Sequence, residues 1–221
     1  MPRRIVLMLV FLLLVAVSCR ADEEPVPMTR GPGADDAVAA AAMVHDAVQT
    51  GEFDVAAALT VQKHAALASL AEGATFADVA VALTEDDLGI ASNFWSGFAQ
   101  AAGESFLGEV DLEDSGTSEV EGLTYHLVTV SSSEADDRRL VTQGIDGHRI
   151  DLFASFGAGL AERMISPVQI LLTSATDDAI LILSELRAIA PSLEIAAADP
   201  NLTPEEAQMV LQLIELITRI S

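Results

Sequence analysis

Hydrophobic positions along this 221-residue chain change rhythm several times. Ile5 to Val17 is an unbroken apolar run of thirteen residues behind Arg3 and Arg4. From Arg20 to Ala34 apolar residues thin out among Pro25, Pro27, Pro32, Gly31, Gly33 and acids, a composition that predicts a flexible tether. Asp35 and Asp36 open a helical period, in which Val38, Ala41, Ala42, His45 and Val48 recur until Gly51 stops them. Phe53 to Leu59 predicts a second helix that continues through Leu70. Thr75 with Asp78, and Thr84 with Asp87, have the form of capping boxes. Glu85 to Ala102 sets Leu88, Ala91, Phe94, Trp95, Phe98 and Ala102 on one stripe of a strongly amphipathic helix.

The period then falls to two. Phe106 to Leu112 alternates, and so does Leu123 to Val130, where Leu123, Tyr125 and Leu127 oppose His126, Val128 and Val130. Asp146-Gly147 lies between the apolar runs Leu140–Ile145 and Arg149–Phe153 and predicts a tight hairpin, since both turn positions favour positive φ. Polar loops are expected at Asp114–Glu119 and Ser131–Asp137. After Gly157 the helical period returns. Ser166-Pro167-Val168-Gln169 and Thr203-Pro204-Glu205-Glu206 each read as an N-cap, a proline at the first helical position and an acceptor three residues on. Between them Asp177 to Ala190 is helical until Pro191. The last helix, Glu205 to Ile220, gathers Val210, Leu213, Ile214 and Ile217 on one face, widened by Met209, Leu216 and Ile220. Such a face must be covered by its own domain or by a partner.

These elements predict an α+β fold: N-terminal helices packed on a curved antiparallel sheet, then a C-terminal helical extension. The divisions are a leader at 1–18, a tether at 19–34, the α+β unit at 35–159 and the extension at 160–221. An apolar content of 51% rules out global disorder, and the formal charge is −23. Such an acidic chain repels nucleic acid, which is excluded as a partner. Cys19 is the single cysteine, so no intramolecular disulfide forms and the core must hold the domain together.

The run Ile5–Val17 rises only about 20 Å as a helix, too short to span a bilayer core. Ala16-Val17-Ser18-Cys19 resembles the bacterial lipobox. That resemblance implies diacylglyceryl transfer to the Cys19 thiol, cleavage after Ser18 and a lipid-anchored protein on the extracytoplasmic face of the cell membrane. Two or three acyl chains, each contributing about 0.8 kcal/mol per buried methylene, make a stable anchor.

Two further stretches carry a second resemblance. Gly51-Glu52-Phe53-Asp54-Val55-Ala56-Ala57-Ala58-Leu59 resembles the turn between the opening helices of the NTF2-like superfamily's small exported lipoproteins. Ile145-Asp146-Gly147-His148-Arg149-Ile150-Asp151-Leu152 resembles their closing hairpin. The resemblance covers Asp35 to about Phe156 and implies a cone whose mouth holds an apolar ligand between sheet and helices. A fold of this kind hosts many unrelated activities.

Candidate chemistry is sparse. His45, His64, His126 and His148 match no metal-ligand spacing, and His45 and His64 are expected in surface or capping roles. Asp111, Glu113, Ser115 and Gly116 faintly follow a calcium loop, but Gly122 stands where its bidentate glutamate belongs, so no metal is expected. Alternation that buries Ile150 and Leu152 turns Asp151 away from His126, and no nucleophile–base pairing or phosphate loop is present. The expectation is a protein that is not an enzyme and has no cofactor. Trp95, Phe98, Tyr125 and His126 are the candidates for lining a ligand pocket. Function then reads as binding an apolar small molecule or a protein partner. The alternative is a structural protein whose C-terminal amphipathic helices dock on another envelope protein.

Overall fold

In the computed structural model, which describes residues 30–102, 108–133 and 137–219, helices enclose a four-stranded antiparallel sheet. The class is α+β. Before the sheet come α1 (Ala37–Thr50), α2 (Phe53–Ala58), α3 (His64–Ala68), α4 (Phe76–Glu85) and α5 (Leu88–Ala102). The sheet is a meander of β1 (Asp111–Val120), β2 (Leu123–Ser131), β3 (Arg138–Gly144) and β4 (His148–Ile150). After it come α6 (Leu152–Leu172), α7 (Asp177–Ala188), α8 (Ala190–Ala197) and α9 (Pro204–Thr218).

Local signals place many of the ends. Asp36 caps α1 by accepting from the Ala39 amide at 2.7 Å, and Gly51 closes that helix at φ 79°. Thr75 caps α4, and Thr203 with Glu206 forms a complete capping box on α9. Thr84 does not open a helix. It lies inside α4 with its hydroxyl on the Ala80 carbonyl, and α5 starts instead beside Asp87, which accepts from the Gly89 amide. The buried stripe of α1 is Ala37, Ala40, Ala41, Val44, Ala47 and Val48, rotated from the expected one, so Ala42 is exposed. The helix expected from Phe53 through Leu70 is broken at Leu59–Lys63, where Thr60 bridges to Ile150 of β4 and Lys63 takes φ 68°.

Two prolines behave otherwise than expected. Pro167 sits inside α6 rather than at its start, because Met164, Val168 and Leu171 are buried on both sides of it and packing carries the helix through. Pro191 opens α8 instead of merely ending α7. The residue-159 boundary therefore falls within one continuous helix. Val210, Leu213 and Ile217 of α9 join the same core as Val44 of α1 and Trp95 of α5, so the apolar stripe of the last helix is covered by its own chain.

Asp114–Glu119, expected as a loop, belongs to β1. This strand is a polar, exposed edge whose pairing shifts register between Asp114 and Gly116, so hydrophobic alternation does not mark it. Both faces of β2 meet side chains. Val128 and Val130 join the main core, which α1 closes by touching all four strands. Tyr125 faces the other way, against Val141, Ala154 and Ile195. Upstream, Gly33 and Ala34 lie along β4, with Gly33 N donating to the Asp146 carbonyl at 2.7 Å and Ala34 bridging His148. Arg30 reaches Asp86 at 2.9 Å. Cys19, the leader, Glu134 and Phe106 lie outside the described residues.

Candidate functional site

The candidate pocket residues fall in three places. Trp95 and Phe98 of α5 meet edge to face at 5.5 Å and close around Phe156 of α6, at 5.9 Å and 5.0 Å respectively. Trp95 is fully buried and donates from Nε1 to Thr60 Oγ1 at 2.9 Å. Tyr125 lies on the opposite face of the sheet, beneath α8, fully buried. His126 is half-buried and meets the His148 ring edge-on at 4.5 Å, while His148 Nδ1 stands 3.2 Å from Thr142 Oγ1. Burial lowers the pKa of His148, the charge of His126 lowers it further, and Asp36 opposes both. Tyr125 thus packs in a different cluster from Trp95 and Phe98, and His126 meets His148 instead.

Phe98 and Phe156 are the shared wall of two cavities. The larger, about 520 Å³, has Val130 and Leu140 of the sheet on its floor beside these rings. Its rim is charged, with Asp137, Arg138, Arg139, Asp199 and Glu206. The smaller, about 230 Å³, lies between α5 and α6 against Phe94, Gly97, Ala101, Gly159 and Leu160, with Glu72 and Arg163 at its edge. Gly97 and Gly159 leave this trench open, since a Cβ at either would meet nothing within 4 Å. The larger volume is that of a small-molecule site. Sequence reading found Phe98 through its helical stripe. It missed Phe156, whose helix starts at Leu152, where a strand was expected to run through Phe153.

Arg139 stands out in the wall of the larger cavity. Its Nη2 donates to the Ile195 carbonyl at 2.7 Å, and its Nε lies 3.4 Å from Asp199 Oδ2. That buried Nε has no hydrogen-bond acceptor among the described residues. Burial lowers the pKa of this guanidinium, and the Asp199 charge partly offsets the effect.

A second polar group lies under the sheet and is closed to solvent. Asp151, expected to turn away from the interior, is fully buried. The strand ends at Ile150, so alternation no longer governs Asp151. It caps α6 instead, accepting from the Ala154 amide at 2.9 Å. Its Oδ2 takes bonds from Gln143 at 2.5 Å and Ser192 at 2.6 Å, and Ser192 lies 3.4 Å from the Tyr125 hydroxyl. His64, expected in a surface or capping role, is buried with Nδ1 at 3.2 Å from Asp151 Oδ1, close enough to pair in charge but without hydrogen-bond alignment. Burial pushes the Asp151 carboxyl upward, but His64 and the donated bonds outweigh it and hold the pKa below the usual range. The aspartate lies between serine and histidine, so the histidine takes no proton from the serine, which is a different arrangement from a catalytic triad.

Among the described residues no group of three or more His, Cys, Asp or Glu side chains is placed to hold a metal ion. Among the same residues no helix is long and apolar enough to cross a membrane. No family model, curated protein or solved structure matches this chain.

Proposed function

We propose that this chain is a lipid-anchored extracytoplasmic protein, not an enzyme, that binds an apolar small molecule in the cleft over Phe98 and Phe156. The observation that carries the binding reading is that these two rings wall both cavities, one about 520 Å³ and the other about 230 Å³. Ring faces at a cavity wall offer a large apolar contact area at little entropic cost. Anchoring rests on the sequence around Cys19. The non-enzymatic reading is supported by the burial of Ser192 and Asp151, which puts this serine–aspartate–histidine group out of a substrate's reach. Within the α+β class we read the fold as NTF2-like. That reading rests on Gly51 in its left-handed turn between α1 and α2, and on the Asp146-Gly147 hairpin after the helices.

Both parts have direct tests. Cys19→Ala is expected to release the protein from the membrane fraction, and unchanged retention and processed mass would sink the anchor. Native mass spectrometry after gentle extraction is expected to show a retained apolar molecule, absent from Gly97→Leu. Leucine at that position fills the trench without a clash at Cβ. An identical bound mass in both proteins would place the ligand elsewhere. The alternative, docking through the C-terminal helices, has less in its favour because Val210, Leu213 and Ile217 are turned into the chain's own core.

A further inference from the structure

We propose that His126 and His148 form an acid-sensitive clasp: when both rings take a proton, the Gly33–Ala34 segment loosens from β4 while the core stays closed.

The segment ahead of α1 is tied to the sheet mainly through His148. Ala34 N donates to the His148 carbonyl at 3.0 Å, and His148 N donates to the Ala34 carbonyl at 2.8 Å. Gly33 N adds a bond to the Asp146 carbonyl at 2.7 Å, on the hairpin that leads into His148. The residue that grips the segment by its backbone thus carries a titratable ring. His148 is also the first residue of β4, a strand of three, so displacement of its ring is taken up at the end where Ala34 is bound.

That ring has a like-charging neighbour. His126 pairs with Thr142 across β2 and β3, and His148 stands two residues from the Ile150 that pairs with Thr142 across β3 and β4. The three side chains therefore share one face of the sheet. The His126 and His148 rings meet edge-on at 4.5 Å, and Thr142, fully buried, holds its Oγ1 3.2 Å from His148 Nδ1. Charge on both rings is disfavoured, because like charges at this distance repel and partial burial penalises the charged form.

Other charges around the pair do not cancel this. Asp36 favours a proton on His148, but it is exposed and its carboxylate caps α1 through the Ala39 amide. His45 and Asp46 lie roughly two and a half turns further along α1. On β1, Thr117 stands opposite His126, and Glu119, opposite Thr124, is exposed. Asp35 and Asp146 flank the bridge and are exposed too. Burial and His126 together outweigh Asp36 and keep the His148 pKa below its ordinary value. A lowered folded pKa gives stability that is present above about pH 6.5 and is lost as pH falls below it.

Amide exchange of the full chain in detergent micelles tests the clasp, with each rate expressed as protection relative to the intrinsic rate at that pH. Between about pH 7.5 and about pH 5, the range in which histidines titrate, protection at residues 33, 34 and 148 is expected to fall about tenfold, while that of the α1 core holds. His126→Gln removes one of the two charges, and His148→Gln removes the other but keeps the backbone bonds. Each is expected to abolish most of the fall, and either one suffices if the other fails to fold. Asp36→Asn keeps a helix cap without the opposing charge and should move the fall to higher pH. Asp151 stays out of this window, because its contribution fades only below about pH 3.9, and His64 is the same in every variant. Equal protection of Ala34 at both pH values overturns the clasp. So does a fall that α1 shares, a fall undiminished in the histidine variants, or an Asp36→Asn profile that does not move upward.

Discussion

Nε1 of Trp95 donates to Oγ1 of Thr60 at 2.9 Å, and both side chains are fully buried. Thr60 hands its own proton to the Ala56 carbonyl at 2.8 Å, and its backbone bridges to Ile150. One hydroxyl thus ties α5, which carries half of the cleft, to the chain beside β4. Thr60→Val keeps the shape and removes the acceptor, leaving the indole N–H buried and unpaired. The expected cost is about 1–3 kcal/mol in denaturant unfolding. A variant as stable as the parent would show that the bond contributes nothing.

Asp151 gives the fold a dependence on acid. Its pKa is lowered in the folded state, so its contribution is present above the unfolded value near 3.9 and is lost as pH falls below it. Asp151→Ala is expected to cost about 3–5 kcal/mol near neutral pH, because Gln143, Ser192 and the Ala154 amide lose their acceptor and His64 its charge partner. The variant's stability should then vary less between pH 5 and pH 2 than the parent's. Parallel pH profiles for the two proteins would count against this assignment.

Tyr125 makes the opposite prediction at high pH. Burial pushes its phenol up to about 12, with the Asp151 charge adding to this and the Ser192 bond opposing it. A raised folded pKa contributes stability fully below the unfolded value near 10, and that contribution fades as pH rises through 12. Because this is the only tyrosine, ultraviolet titration of the phenolate reads it directly. The midpoint is expected near 12 while the chain stays folded. A reversible midpoint near 10 without loss of structure would mean the ring is not buried.

What was readable in the sequence is what neighbours in sequence decide. The cap at Asp36, the stop at Gly51, the stripe ending in Trp95 and Phe98, and the Thr203–Glu206 box all act within a turn or two. What was not readable depends on distant partners. Thr60 leaves the helical pattern because Ile150 offers it a bridge, and Pro167 stays in α6 because residues on either side are buried. The polar strand Asp114–Glu119 forms because β2 has a free edge to fill, not because its own residues alternate. Asp151 is the sharpest case: a strand that ends at Ile150 instead of running through Phe153 makes a carboxylate expected to turn away from the interior into a buried cap. The cleft shared this fate, since Phe98 was visible in its stripe whereas Phe156 joined it only through the packing of α5 on α6.

Gly33 and Gly147 hold the segment ahead of α1 against β4. The two backbones pack so closely that a Cβ on Gly33 would lie 2.6 Å from the Gly147 carbonyl carbon and 2.8 Å from the His148 oxygen. Neither neighbour is a flexible side chain that swings aside, so Gly33→Ala must push the incoming strand off β4. Gly33 N would lose the Asp146 carbonyl and Ala34 its bridge to His148. Arg149, which donates to the Gly31 carbonyl, would lose that acceptor as well. Overpacking of this kind costs about 1–3 kcal/mol. The loss should be local: amide exchange at residues 33 and 34 should accelerate well beyond that of α1. Unchanged protection at Ala34 in Gly33→Ala would mean that the two strands do not depend on this contact.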